Sequence, residues 1–173
     1  MKIVDDENQE LPRNGKAFGK LKVRGPGIAK SYFRQEGDTL DDNGWFDTGD
    51  VATIDEFGFM QITDRAKDVI KSGGEWISSI EIENIAMGHP EVKEAAVIGI
   101  PHPKWDERPL LIVVPNDGLS PEKESLLHFL HGKIAKWWIP DNVAFVETLP
   151  HTATGKLNKL ELRKLFEGYQ LAD

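Results

Sequence analysis

The first third of the chain alternates short apolar segments with glycine, proline and polar residues, a pattern typical of strands and turns. Lys2–Val4 and Lys20–Arg24 are predicted strands. Val51–Ile54 and Phe59–Ile62 flank Asp55-Glu56-Phe57-Gly58, which predicts a β-hairpin. We therefore expect this part of the chain to be all β.

Beyond Thr63 the pattern changes to strands mixed with helices. Capping residues and apolar periodicity predict three helices, which begin at Ser78 with Glu81, at Ser120-Pro121 and at Asn158 with Glu161, and end near Gly88, Ala135 and Tyr169. Strands are predicted at Val69–Lys71, Trp76–Ile77, Val92–Ile100, Leu110–Val114 and Val143–Val146.

This mixture predicts the fold class α+β, with a small C-terminal domain in which helices pack on a sheet. The domain boundary is placed near the charged stretch Asp64–Asp68. Residues 1–63 then form an all-β segment and residues 64–173 form the α+β domain. A simple exposed turn at this stretch is the alternative interpretation.

Composition excludes several classes of function. The chain has 173 residues, a net charge of −8 and no cysteine. A negative balance argues against a protein that coats nucleic acid or an anionic membrane, since both need a basic surface. Disulfides, thiolate metal sites and cysteine nucleophiles are excluded. With no apolar run near ~20 residues and no secretory signal, we expect no transmembrane segment and a cytoplasmic protein.

Two stretches could contact a nucleotide. Gly44–Asp50 precedes a predicted strand, so Asp50 is expected at a loop–strand junction, where its carboxylate could accept bonds from two ribose hydroxyls or bond its own backbone. Arg65 offers a rigid fork of donors, and Gly73 and Gly74 allow backbone to approach a ligand. A solvated charged turn followed by a glycine hairpin explains the second stretch equally well.

Two further groups of residues stand out. Lys156 lies on the Thr/Gly loop of Pro150–Lys156, where it could clamp a phosphate or carboxylate, although a merely solvated lysine is the more frequent case. The tryptophans of the C-terminal part are interpreted as core or interface packing; they are Trp105, Trp137 and Trp138. The histidines do not share metal-ligand spacing, so no metal site is predicted.

The order and spacing of four motifs are more specific than any motif alone. They are Trp45–Asp50, Asp64–Glu75, Glu81-Ile82-Glu83 and Leu149–Lys156. Together they resemble the consecutive C-terminal motifs of the adenylate-forming (AMP-binding) superfamily, which includes acyl-CoA synthetases, firefly luciferase and peptide-synthetase adenylation domains. The sequence around Lys67, Gly73–Ser79 and His102–Pro109 is most similar to that of medium-chain fatty acid–CoA ligases. Methylmercaptopropionate–CoA ligases have very similar sequences in these segments.

The resemblance implies a two-step reaction. A carboxylic acid attacks the α-phosphate of MgATP to give acyl-AMP, and CoA then attacks the acyl-AMP after a small C-terminal lid domain rotates. By the same resemblance, Asp50 would hold the ribose hydroxyls with help from Arg65. Lys156 would be the catalytic lysine of the adenylating step.

The remaining roles implied by the resemblance concern the second step. Lys67 would be the hinge of the lid, at a position where many relatives carry aspartate. Gly73 and Gly74 would line the tunnel for the pantetheine arm of CoA. Trp76 is placed where it could meet the nucleotide or CoA.

The resemblance also implies that most of the enzyme lies outside this chain. Residues 1–63 are similar to the end of the large N-terminal domain, which would bind most of the ATP, its Mg²⁺ and the acid. We therefore expect a fragment that is inactive alone and that could pair with a second copy through unpartnered strand edges. The alternatives are the lid of a methylmercaptopropionate–CoA ligase, an aminoacyl-adenylating domain and a non-catalytic interaction module.

Overall fold

The computed structural model describes residues 1–32 and 39–170 of the chain. The chain divides into two compact units, Met1–Lys67 and Asp68–Asp173. This division falls within the charged stretch Asp64–Asp68, and the strand that contains Asp64 pairs within the first unit as far as Arg65. The fold class, α+β with three helices in the C-terminal unit, is confirmed.

The first unit is an antiparallel sheet of four strands, β1 (Lys2–Val4), β2 (Phe18–Val23), β3 (Phe46–Ile54) and β4 (Met60–Arg65). They lie in sequence order, so each strand pairs with its neighbours along the chain. One cluster of buried side chains forms its core: Ile3, Leu21, Ala52 and Ile54. Asp55 forms the β3–β4 turn as predicted, accepting bonds from the backbone N–H groups of Phe57 and Phe59.

The second unit mixes strands and helices. Its elements are β5 (Ile70–Ser72), β6 (Glu75–Ile77), α1 (Ser79–Ala86), β7 (Val92–His102), β8 (Asp106–Pro115), α2 (Lys123–Leu130), a 3₁₀ turn (Lys136–Trp138), β9 (Asn142–Phe145) and α3 (Lys159–Leu165). The strand order is β6-β5-β8-β7, and β9 pairs with β8 in parallel.

Strands β7 and β8 are apolar on both faces, because each face supports its own core. Val97, Leu111 and Val113 pack on one side with the buried faces of α1 and α2. Ala96 and Ile98 point to the other side, in the cluster that contains Leu162 of α3. Since successive side chains of a strand alternate between faces, a continuous apolar run is what a sheet covered on both sides requires.

Two predicted helix caps are confirmed. The Ser78 side chain accepts a bond from the N–H of Glu81, and the Asn158 side chain accepts one from the N–H of Glu161. Each bond satisfies a donor that the first turn of a helix leaves free. The third helix is shorter than predicted: α3 ends at Leu165, before Tyr169.

The prediction for the second helix is wrong at both ends. Glu122, and not Ser120, is the N-cap, with extended backbone at ψ 141° and no side-chain cap bond. The helix stops at Leu130, five residues before Ala135, because His131 turns to ψ 133° and Gly132 adopts φ 76°. A left-handed residue cannot continue a right-handed helix.

We expect the amides of Met1–Thr63 to exchange with solvent faster than those of Val92–Ile100. The first unit has one small apolar cluster, whereas β7 contributes side chains to two larger apolar clusters, one on each face. Hydrogen exchange on the purified chain measures this difference. A second copy paired on the edge of β4 would slow the exchange of the first unit, so the mass of the particle is measured in parallel. Equal protection of both segments in a monomer would contradict the prediction.

Candidate functional site

Asp50 and Arg65 are brought together in the first unit. They are cross-strand partners on β3 and β4, and an Arg65 Nη1 lies 2.5 Å from a carboxylate oxygen of Asp50. Asp50 lies inside β3 and not at a loop–strand junction, since β3 begins at Phe46. The Arg65 side chain is 56% exposed and that of Asp50 is 19% exposed, so the pair lies at the surface of the first unit.

The segment from Asp41 to Trp45, which precedes Asp50, is held by contacts of Asp41 and Trp45. Asp41 accepts bonds from the backbone N–H of Trp45 and from Lys22 Nζ, and these bonds lower the pKa of Asp41 below its ordinary value of 3.8. Lys2 and Arg24 place their cationic groups 4.8 and 4.6 Å from the centre of the Trp45 ring. Trp45 therefore packs against cations of its own unit.

Lys67 is exposed on the turn between β4 and β5, at the last position of the first unit. The next residue, Asp68, is buried and accepts a 2.8 Å bond from Arg163 of α3. The chain thus enters the second unit through an anchored carboxylate. Lys67 itself lies immediately before that anchor.

Gly73 and Gly74 form the turn of the β5–β6 hairpin, and both have left-handed backbone, with φ 60° and 84°. A Cβ on Gly73 would lie 2.8 Å from the Trp105 ring, so this glycine lets the indole pack directly on the backbone. A Cβ on Gly74 would meet nothing within 4 Å. Of the two glycines, Gly74 is the one with open space beside its backbone.

Trp105 is held by the turn that joins β7 to β8. His102 Nδ1 accepts bonds from the backbone N–H groups of Lys104 and Trp105, and the Trp105 carbonyl accepts one from Gly73 N–H at 2.9 Å. The two turns are therefore joined by backbone, which sets the indole over Gly73. Trp105 remains 41% exposed.

Arg108 holds together the residues on the side of this region that faces Trp105. Its guanidinium forms a bidentate ion pair with Asp141, with nitrogen–oxygen distances of 2.7 and 3.0 Å. It also donates to Ser72 Oγ and to the carbonyl oxygens of Trp137 and Ile139. This fork fixes the segment that carries Trp137, whose side chain is 43% exposed.

These parts line an open cavity of about 600 Å³ in the second unit. It is lined by Ser72, Gly73, Glu75, Trp105, Arg108, Trp137 and Asp141. The volume lies within the range of small-molecule sites, and two indole walls beside a fixed guanidinium are suited to a flat, polar ring system.

Tryptophan is the residue type for which the sequence was least informative. The interpretation as core packing is correct for Trp138, which packs against the buried cluster beneath α1 and α2. Trp105 and Trp137 are half exposed at the cavity, so core packing does not apply to them and the predicted interface packing is the alternative that fits. Their position just before the charged stretch Asp106–Arg108 and after Lys136 is the signal that could have marked them as surface aromatics.

Trp76, in contrast, is not among the residues that line this cavity. In the β5–β6 pairing it lies opposite Lys71, whose Nζ is 5.5 Å from the ring centre. Ser72 and Glu75, which do line the cavity, form the next pair. Alternation along a strand therefore directs Trp76 to the other face of the hairpin.

Lys156 is presented by a closed loop in front of α3. Thr152 N–H donates to the Lys156 carbonyl at 2.7 Å, and Lys156 N–H donates to Thr152 Oγ1 at 3.2 Å. The loop is bounded by the bridge between His151 and Leu157. The Lys156 side chain is exposed, so its ammonium projects from a backbone that the His151–Leu157 bridge holds at both ends.

The predicted residues thus fall into separate places. Asp50 and Arg65 form one pair in the first unit, while Gly73 faces the cavity and Lys156 lies on its own loop in the second unit. Within residues 1–32 and 39–170, no group of three or more His, Asp or Glu side chains is placed to hold a metal ion. No helix of that part is long and apolar enough to cross a membrane.

Comparisons with known proteins show which proteins this chain is similar to. The chain is 57% identical over 166 residues to a 3-methylmercaptopropionyl-CoA ligase of Ruegeria pomeroyi, covering 96% of this chain and 31% of that protein. It is 52% identical over 167 residues to a medium-chain-fatty-acid–CoA ligase of Ectopseudomonas oleovorans, with 96% and 30% coverage. The chain therefore spans about a third of the length of these relatives.

A solved structure and a domain family extend the comparison. The crystal structure of ATP-bound MatB from Rhodopseudomonas palustris superimposes with a TM-score of 0.83 at 36% identity, covering 96% of this chain and 33% of that one. Residues 81–156 match the AMP-binding enzyme C-terminal domain. Within the second unit, these residues therefore belong to the family of AMP-binding enzyme C-terminal domains.

Proposed function

We propose that this chain is the C-terminal part of a longer ATP-dependent acid–CoA ligase. It would supply the lid that completes acyl-AMP formation and then admits CoA. The observation that carries the proposal is the exposed Lys156 ammonium on its closed loop, inside a domain whose relatives are named as acyl-CoA ligases. The proposal includes a cytoplasmic location and the inactivity of the chain when it is alone.

In the first step a carboxylate oxygen of the acid attacks the α-phosphorus of ATP, and the bond to pyrophosphate breaks. Negative charge grows on the α-phosphate oxygens as the new bond forms. The Lys156 ammonium would donate hydrogen bonds to these oxygens and to the attacking carboxylate. Asp50 would accept the ribose hydroxyls, with Arg65 holding its carboxylate in place.

In the second step the CoA thiolate attacks the carbonyl carbon of acyl-AMP, and AMP leaves. The pantetheine arm would run along the open backbone at Gly74, while Gly73 seats Trp105. The cavity of about 600 Å³ would receive the adenine base of CoA between Trp105 and Trp137. ATP would enter with Mg²⁺, which supplies charge neutralisation on the phosphates and would be held mainly by the domain outside this chain.

The acid is proposed to be a medium-chain fatty acid. Methylmercaptopropionate is the second candidate, because ligases of both kinds are similar to this chain. The acyl pocket would lie in the larger domain, so the relatives are the support for either acid. An aminoacyl-adenylating domain and a non-catalytic interaction module are the remaining alternatives.

Two assays on the full-length protein test the proposal. Acid-dependent release of pyrophosphate reports the first step, and CoA-dependent release of AMP reports the second. Fatty acids of graded length, 3-methylmercaptopropionate and amino acids are supplied in parallel. We expect both signals with a medium-chain acid. Pyrophosphate release with amino acids alone would favour the aminoacyl alternative, and neither signal with any acid would overturn the proposal.

Replacing Trp137 by alanine is expected to raise the KM for CoA about tenfold, since stacking of a base on an aromatic ring is worth about 1–3 kcal/mol. The variant keeps the Arg108 bond, because Arg108 donates to the backbone carbonyl of Trp137. Pyrophosphate release should remain near the unmodified rate. Phe145→Ala is the matched control, since Phe145 is exposed to a similar extent (44% against 43%) and lies outside this cavity. An unchanged KM for CoA would remove Trp137 from the site.

A further inference from the structure

The Lys156 loop is continuous with an ion pair that is largely removed from solvent. Three residues after Lys156, the Lys159 side chain is only 9% exposed, and its Nζ lies 2.7 Å from Glu83 Oε1 and 2.6 Å from Ser79 Oγ. Glu83 is 13% exposed. Lysine is rarely buried unless it is paired, so the ion pair with Glu83 is what allows the Lys159 side chain to lie in the interior.

Glu83 joins three elements of the second unit. It belongs to α1, and the oxygen that meets Lys159 of α3 also accepts a 2.7 Å bond from the backbone N–H of Val97. Val97 lies on β7, which ends the strand order, so the carboxylate satisfies a donor that the sheet leaves unpaired. The first turn of α3 is therefore tied to both α1 and β7 through one carboxylate.

The position of the Lys156 loop is set by the first turn of α3, which follows it directly in the chain. Leu157 and Asn158 are the two residues between Lys156 and Lys159, and the Asn158 N–H donates to the Pro150 carbonyl at 2.8 Å. The other end of the loop is attached to β7 by His151, whose Nε2 lies 3.2 Å from Glu94. That contact is about 40% exposed on each side, so the Lys159–Glu83 pair is the better shielded of the two attachments.

We propose that Glu83 and Lys159 are positioning residues for the adenylating step: their ion pair fixes where the Lys156 ammonium is presented. The inference rests on the proposed function of Lys156. Neither residue needs to touch substrate. Since a shift of about 1 Å in a reacting group can cost about 100-fold in rate, a loop that loses its anchor should lose catalysis while the domain stays folded.

The test removes the pair without leaving a buried charge. Lys159→Met alone strands the Glu83 carboxylate and could unfold the domain, whereas Glu83→Gln with Lys159→Met removes both charges and keeps side chains of similar size. Lys159→Arg is the conservative variant that retains the pair. Lys93→Ala is the control, because it breaks the exposed Lys93–Asp117 pair of the same unit.

We expect the double variant in the full-length ligase to lose about tenfold or more in kcat for acyl-AMP formation, with KM for ATP little changed. Thioester formation from supplied acyl-AMP should continue at the unmodified rate. Lys159→Arg should keep adenylation near the unmodified rate, and Lys93→Ala should not alter it. An unmodified rate of adenylation in the double variant would overturn the inference.

A second measurement separates this inference from the proposed function. In the chain of 173 residues, the NMR signals of the Thr152–Lys156 amides should shift in the double variant, while the signals of β8 remain in place. If the unmodified full-length protein forms no acyl-AMP, the proposed function fails, and the NMR result alone judges whether the pair holds the loop. Unchanged loop signals would overturn the inference.

Discussion

Acyl-AMP formation should fall by at least about 100-fold when Lys156 is replaced by alanine in the full-length ligase, the size typical of removing one preorganised donor. Conversion of supplied acyl-AMP and CoA to the thioester should be nearly unaffected. The asymmetry arises because the charge that Lys156 would stabilise grows on the α-phosphate and carboxylate oxygens in the first step.

The closed loop that carries Lys156 is the physical reason for an effect of this size. The backbone bonds between Thr152 and Lys156 fix the loop, so the ammonium needs little reorganisation at the moment of reaction. Measuring each step separately, by acid-dependent pyrophosphate release and by consumption of synthetic acyl-AMP, checks the prediction. Lys164→Ala is the matched control, since Lys164 is an exposed lysine of α3. Equal losses in both steps would refute the assignment of Lys156.

The second large effect is expected from Lys67→Pro, which should impair thioester formation and leave adenylation comparatively intact. We propose that Lys67 is the hinge of the lid, and that its backbone changes between the two steps. Proline fixes φ near −65° and also restricts the residue before it, so it would hold the hinge in one conformation.

The surroundings of Lys67 support a hinge at this position. Lys67 is exposed on the turn after β4, and the next residue, Asp68, is anchored by Arg163. A backbone change would therefore be confined to the few residues before that anchor. Lys67→Ala is the control, because it removes the side chain and leaves φ free. If the proline variant forms thioester as fast as the alanine variant, Lys67 is not the hinge.

Local sequence predicted the parts of the fold that depend on neighbouring residues. The caps at Ser78 and Asn158 follow from side chains that bond to N–H groups three positions ahead. The hairpin around Asp55 follows from turn chemistry within five residues. The run Val92–Ile100 could be recognised as a buried strand because both of its faces are apolar.

The errors occur where distant parts of the chain decide the outcome. The second helix was extended to Ala135 because its apolar spacing continues, whereas Gly132 at φ 76° redirects the chain toward the 3₁₀ turn that Arg108 holds. The glycines and polar residues of Gly44–Asp50 predict a loop, which puts Asp50 at a loop–strand junction. In the fold, β2 pairs with β3 as far back as Phe46 and Asp50 pairs with Arg65 of β4, so Asp50 lies inside the strand.

The candidate residues divide in the same way. The sequence by itself determined the α+β class, the caps at Ser78 and Asn158 and, through the order of its motifs, the family that the second unit matches. Only the tertiary structure decided that Trp105 and Trp137 wall a cavity, that Gly73 serves Trp105 while Gly74 stays open, and that Glu83 anchors Lys159. The physical reason is sequence distance: caps and turns join residues a few positions apart, whereas these contacts join residues separated by about 30 to 80 positions, and no local pattern records which of them will meet.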